Sequence, residues 1–83
     1  MRYLILAMRT AKFQQSAIEP HKAYLAQLKQ QGLLELTGPF TDKSGGAYLI
    51  SAKDLESARA IAFEDPIHTS GSSVLTVYEW DAV

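Results

Sequence analysis

The segment Ser73-Val74-Leu75-Thr76-Val77-Tyr78-Glu79-Trp80 constrains this chain more than any other. It is rich in β-branched and aromatic residues, which suit a strand, and a strand sends alternate side chains to opposite faces. Val74, Thr76, Tyr78 and Trp80 then point one way, and Leu75, Val77 and Glu79 the other. The run near the start repeats the pattern, with Tyr3, Ile5 and Ala7 opposed to Leu4, Leu6 and Met8. A solvated sheet face would alternate polar residues. Neither side of these strands does, so the sheet they build needs a cover on both faces.

The stretch between them supplies one cover. Arg2 to Met8 reads as the first strand, followed by a charged and polar loop from Arg9 to Ser16. A helix is expected from about Glu19 to Gln31, because Pro20 suits the first turn and Gly32 the position just past the end. His21, Tyr24, Leu25 and Leu28 fall along one side of it, with Lys22, Lys29 and Gln30 turned away. Leu33 to Phe40 reads as a second strand interrupted by Gly38-Pro39, since proline belongs at a strand edge or end. Asp42 to Gly46 is a turn by composition and Ala47 to Ala52 a third strand. Asp54 is a good N-cap for a second helix with an apolar stripe of Leu55, Ala58, Ile61 and Ala62, and Pro66 marks its end. Asp65 to Ser73 reads as a polar loop leading into the last strand.

The order strand, helix, strand, strand, helix, strand predicts an α+β domain of ferredoxin-like βαββαβ type. It is a four-stranded antiparallel sheet with two helices on one face, formed by residues 1–83 as a single domain. Leu25, Leu28, Ile61 and Leu6 are expected beneath the helices. A chain of 83 residues hides only about 60–65% of its unfolded surface, so the core is thin and association is a natural source of further burial. The second, bare sheet face predicts a homodimer.

Composition removes several functions. The formal charge of −1 offers no global attraction to a nucleic acid, whose partners cluster Lys and Arg on one face. The absence of cysteine excludes disulfides, thiolate metal sites and a cysteine nucleophile together. Tyr3 to Met8 is too short for a membrane span and has no small-residue cleavage site after it, so a soluble, cytoplasmic protein is expected.

Several pieces together resemble the YCII-related (YciI-like) family. They are the opening Arg2-Tyr3-Leu4-Ile5-Leu6-Ala7, His21 at the helix start followed by Tyr24-Leu25-Ala26-Gln27-Leu28, the Gly32-Leu33-Leu34 passage into Thr37-Gly38-Pro39, and Glu64-Asp65-Pro66. The resemblance covers essentially the whole chain. It implies a dimeric α+β barrel in which two sheets meet face to face, and a pocket in each protomer containing a His and an Asp. One branch of the family removes chloride from a chlorinated hydroxyquinone. The turn after Phe40 is shorter here than in longer members, which alters the rim of the implied pocket.

His21 and Asp65 are thus the candidate catalytic residues. A neutral imidazole in the first turn of a helix is a usable general base, and a carboxylate beside it would orient the ring and stabilise the imidazolium formed on proton abstraction. Each has a structural alternative: His21 buried against Leu25, and Asp65 as the turn-former that Asp before Pro commonly is. Gly38, Pro39, Phe40 and Ser70 are expected to line a substrate cavity near this pair. His68 follows Asp65 at i+3 and could join a divalent metal site. No compact ligand motif such as H-E-x-x-H supports one, and none is assigned. Ser70, Ser72 and Ser73 around Gly71 lack the context of a phosphate loop, and Tyr48, Tyr78 and Trp80 read as core or interface residues.

Two functions compete on these grounds. One is a cofactor-independent enzyme that moves protons on a cyclic or aromatic small molecule, by isomerisation, elimination or dehydrochlorination. The other is a non-catalytic ligand-binding or accessory dimer in which His21 and Asp65 are structural caps.

Overall fold

The first and last strands pair side by side, the first inside the sheet with a neighbour on each side and the last at its edge. The computed structural model describes all 83 residues. The strands are β1 (Arg2–Arg9), β2 (Leu34–Pro39), β3 (Gly45–Ser51) and β4 (Ser73–Trp80), and the helices are α1 (Ile18–Gln30), α2 (Leu55–Phe63) and the short α3 (Pro66–Thr69). The sheet order is β2-β3-β1-β4 with every neighbouring pair antiparallel, the ferredoxin-like α+β arrangement.

Period-two alternation sorts the side chains. Tyr3, Ile5 and Ala7 from β1, Tyr48 and Ile50 from β3, and Leu75 from β4 are buried on the helix side. They pack with Leu25 and Leu28 of α1, Ala58 and Ala62 of α2 and Ile67 of α3. Ala58 and Ala62, both without exposed surface, let α2 sit close to the sheet. Asp54 caps α2 by accepting from the Ser57 N–H at 2.8 Å, and this bond holds its carboxyl below the usual range. Ile61 packs only at the margin of the core. Leu6 is not beneath the helices. It pairs with Thr76 and Ala47, shares the parity of Leu4 and faces the opposite side, because a one-residue step along a strand reverses the face.

That opposite side carries Leu4, Leu6, Met8, Leu36, Val74, Tyr78 and Trp80. Leu36 is 68%, Val74 59% and Trp80 47% exposed, so the face is apolar and uncovered within one chain. No helix is long and apolar enough to cross a membrane.

Three local features depart from expectation. The segment expected to be loop down to Ser16 ends in a 3-10 turn, Gln15–Ala17, that runs straight into α1, so the helix starts at Ile18 with no side-chain cap. Strand β3 begins at Gly45 rather than Ala47. A Cβ at Gly45 would stand 2.1 Å from the Ala7 carbonyl oxygen, and one at Gly46 2.6 Å from that of Gly38. These glycines are the place where three strands approach most closely, so they belong to the sheet. The stretch expected to be a polar loop after Glu64 contains α3, with Pro66 at its first position, where the missing N–H costs nothing.

Leu28, 4% exposed, is expected to lose about 2–5 kcal/mol of stability as Leu28→Ala, because the thin core cannot close over the cavity. Urea unfolding measures this, and an unchanged midpoint would remove Leu28 from the core.

Candidate functional site

Asp65 is wholly buried, and a buried carboxylate is costly unless its oxygens accept hydrogen bonds. As N-cap of α3 it accepts from the Ile67 N–H on Oδ1 at 2.9 Å. The Tyr48 hydroxyl of β3 donates to Oδ2 at 3.0 Å. His21, in the first turn of α1, places Nδ1 2.8 Å from Oδ2 and 2.9 Å from Oδ1. Three elements thus converge on one side chain.

The partners fix where the protons are. Burial, and after it the Asp65 charge and hydrogen bond, push the Tyr48 phenol far up, so it stays protonated and donates. An ionised carboxylate only accepts, so Nδ1 of His21 presents a ring proton to Asp65, and Nε2 is the nitrogen left to take up or release another. No protein group bonds Nε2. The side chain is 17% exposed and the residue borders a cavity of about 430 Å³. The cavity is walled by Ile18 and Leu25 of α1, by Thr37, Gly38 and Pro39 of the edge strand, and by the bare backbone of Gly45 and Gly46.

The expected site residues separate into two groups. His21 and Asp65 are in direct contact, and Gly38 and Pro39 line the cavity beside them. Phe40 does not: it borders a shallower depression of about 270 Å³ on the open sheet face, with Leu36, Leu49 and Trp80. Ser70 lies at the end of α3, where its Oγ meets Ser72 Oγ at 2.8 Å, outside the cavity lining. His68 belongs to α3, its ring stacked on Phe63 at 4.8 Å, and no three His, Asp or Glu side chains gather as metal ligands. Tyr48, expected as a core or interface residue, is buried in the core and is also a member of the site, a role the sequence reading does not give it. Its signal was available: it shares the parity of Ile50, so its hydroxyl is carried into the core, where a polar tip requires a partner.

The YCII-related domain family matches residues 1–81, and the chain belongs to that family. An uncharacterised protein of Bacillus subtilis (strain 168), YjpA, is 47% identical over 78 residues, spanning 94% of this chain and 92% of its own length. Among solved structures, 5-chloro-2-hydroxyhydroquinone dehydrochlorinase (TftG) from Burkholderia phenoliruptrix AC1100, in complex with 2,5-dihydroxybenzoquinone, superposes with a TM-score of 0.76. The match covers 98% of this chain and 94% of that one at 21% identity. At that identity the likeness is one of fold.

Tyr48→Phe removes a donor from a buried carboxylate and is expected to cost about 1.5–3 kcal/mol at neutral pH. It also changes the alkaline limb. Tyr48 is raised in the folded state, so its contribution is complete below the unfolded value of about 10 and drains as pH rises above it, by about 1.4 kcal/mol per pH unit. Tyr24 adds a second such loss up to its own folded value of about 12, set first by burial and then by the Glu64 and Asp65 charges. Urea midpoints for Tyr48→Phe should therefore fall less steeply above about pH 10, by one proton, and equal slopes would show that Tyr48 is not held protonated.

Proposed function

We propose that this member of the YCII-related family is a small-molecule enzyme that moves a proton on a cyclic or aromatic substrate, with no organic cofactor. His21 takes and returns the proton, and Asp65 and Tyr48 hold the ring. The observation that carries this reading is an imidazole tied at Nδ1 to a buried carboxylate, with Nε2 unengaged, beside an open cavity. The substrate's proton would pass to Nε2. The imidazolium so formed would be stabilised by the carboxylate 2.8 Å away. Return of the proton to a second position completes an isomerisation, and departure of a leaving group such as chloride completes an elimination.

The cavity size supports a substrate of one ring, since sites for small molecules occupy roughly 300–1,000 Å³. So does the ring compound bound by the dehydrochlorinase of like fold. A lining that includes Gly38, Pro39, Gly45 and Gly46 gives the substrate a flat wall of backbone.

The reading is tested by incubating the protein with 5-chloro-2-hydroxyhydroquinone and chlorine-free hydroxyquinols, following chloride release and deuterium exchange at ring carbons. His21→Gln is expected to lower the rate by about 10²–10⁴-fold at a temperature where the variant is still folded. A rate that is unchanged, or that falls only in step with unfolding, makes His21 a structural cap.

The working form is proposed to be a homodimer closed through the open sheet face, two sheets facing each other as a dimeric α+β barrel. The exposure of Leu36, Val74, Tyr78 and Trp80 supports it, because contiguous apolar surface of this kind marks an interaction site. A contact of about 700 Å² per protomer would fall in the stable class. Sedimentation at micromolar concentration is expected to give one species of twice the chain mass, shifted to monomer by Val74→Glu. A monomer in the unaltered protein would exclude the dimer.

A further inference from the structure

The charged side chains on the wall of the His21 cavity are of one sign. Arg9 and Lys22 border it and no Asp or Glu does, although acidic residues outnumber basic ones nine to eight in the chain. Neither cation is in an ion pair, since those of the structure are Arg2 with Glu35 and His21 with Asp65. Asp65, the carboxylate behind His21, is not part of the cavity lining, and its charge is answered by His21, Tyr48 and Ile67. Arg9 is also held in place. Its guanidinium carbon lies 4.0 Å from the centre of the Phe13 ring, a stacking contact that orders the group while leaving its N–H edges available.

A second observation falls at the same spot. Ser73 pairs with Arg9 across β1 and β4, so the two share the helix side of the sheet, and Ser73 also borders the cavity. It is 4% exposed, and its buried Oγ has no hydrogen-bond partner. Buried hydroxyls are nearly always answered, so one that is not calls for an explanation. A donor-rich corner of this kind, in the same cavity as His21, suits an oxyanion.

We infer that the cavity takes an anionic ligand: a small ring bearing a carboxylate or an ionised hydroxyl, whose oxyanion is met by Arg9 and Ser73, with Lys22 adding positive charge. The inference rests on reading this cavity as the reaction site and names the class of substrate it accepts. The same cations have a second use. Removal of a proton by His21 Nε2 leaves its electron pair on the substrate, and a fixed guanidinium beside the ring stabilises that charge as it develops.

Calorimetric titration with two matched pairs of probes tests this. Benzoate against benzamide reads a carboxylate; 2,5-dihydroxybenzoquinone, whose hydroxyls are ionised at neutral pH, against 2,5-dimethoxybenzoquinone reads an ionised hydroxyl. In at least one pair the anion is expected to bind about 10–100-fold tighter than its neutral partner, the range for a hydrogen bond to a charged group. The pair that discriminates identifies the oxyanion. Raising the salt concentration tenfold should weaken only the anion, a measurement that needs no variant. Arg9→Met, which keeps a stem over Phe13, should abolish the preference, and His21→Gln should retain it. Equal binding within both pairs, an intact preference in Arg9→Met, or no anion binding at millimolar concentration overturns the inference. If His21→Gln turns substrate over normally while the charge preference persists, the proton-transfer reading fails and this one stands.

Discussion

A carboxylate with no exposed surface, inside a domain of 83 residues, is the constraint around which this structure is arranged. Asp65 is tolerable there only because a backbone N–H, a phenol and an imidazole are delivered to it from α3, β3 and α1. Each delivery places a fold element. The Ile67 N–H requires α3 to begin directly after Asp65, which Pro66 permits. The Tyr48 hydroxyl fixes the parity of β3, so Ile50 also faces the helices. The His21 ring fixes the rotation of α1, and the same rotation puts Leu25 and Leu28 four and seven positions later into the core. The polar knot and the apolar packing specify one register, and consistency of this kind across levels is what makes a small sequence choose one fold.

The fold was legible because it depends on periodicities. Strand β4 starts and ends where its composition begins and stops, and the stripes of α1 and α2 identify their buried faces. What escaped depends on contacts that no period records. Leu6 has the composition of a core residue, and only the pairing of its strand shows it on the open face. Gly45 and Gly46 look like turn residues because glycine often is one; the close approach of Ala7 and Gly38, distant in sequence, is what requires them in the sheet. At the site, the helix-start His and the Asp before Pro could be singled out as chemistry-bearing types. Tyr48 could not be joined to them, since 27 positions separate it from His21 and only the sheet brings them together.

Phe40 and Ser70 show the limit from the other side. Phe40 follows Gly38-Pro39 and Ser70 belongs to the loop that Asp65 opens, which is why both are expected at the site. The strand's alternation and the turn at the end of α3 carry them elsewhere, Phe40 to the open face and Ser70 to the surface. Proximity along the chain is a poor guide at element ends, where one residue decides which face is reached.

The two faces of the sheet are not independent. Gly38 and Pro39 border both the His21 cavity and the shallow apolar depression on the opposite side. They belong to β2, which is paired only with β3, carries a register irregularity between Leu34 and Leu36, and is exposed along nearly its whole length. An edge strand held on one side is the part of a sheet with least to restrain it. In the proposed dimer, Leu36 on this strand would be covered by the partner, and the strand would gain packing it lacks in a single chain. Association would then steady the wall of the cavity without contributing a residue to it. Catalysis by a positioned imidazole loses rate when the substrate is misplaced by as little as an ångström. The proposed homodimer would therefore have a physical reason beyond completing a thin core: it would hold the edge strand that walls the cavity against the side of the sheet where His21 and Asp65 meet.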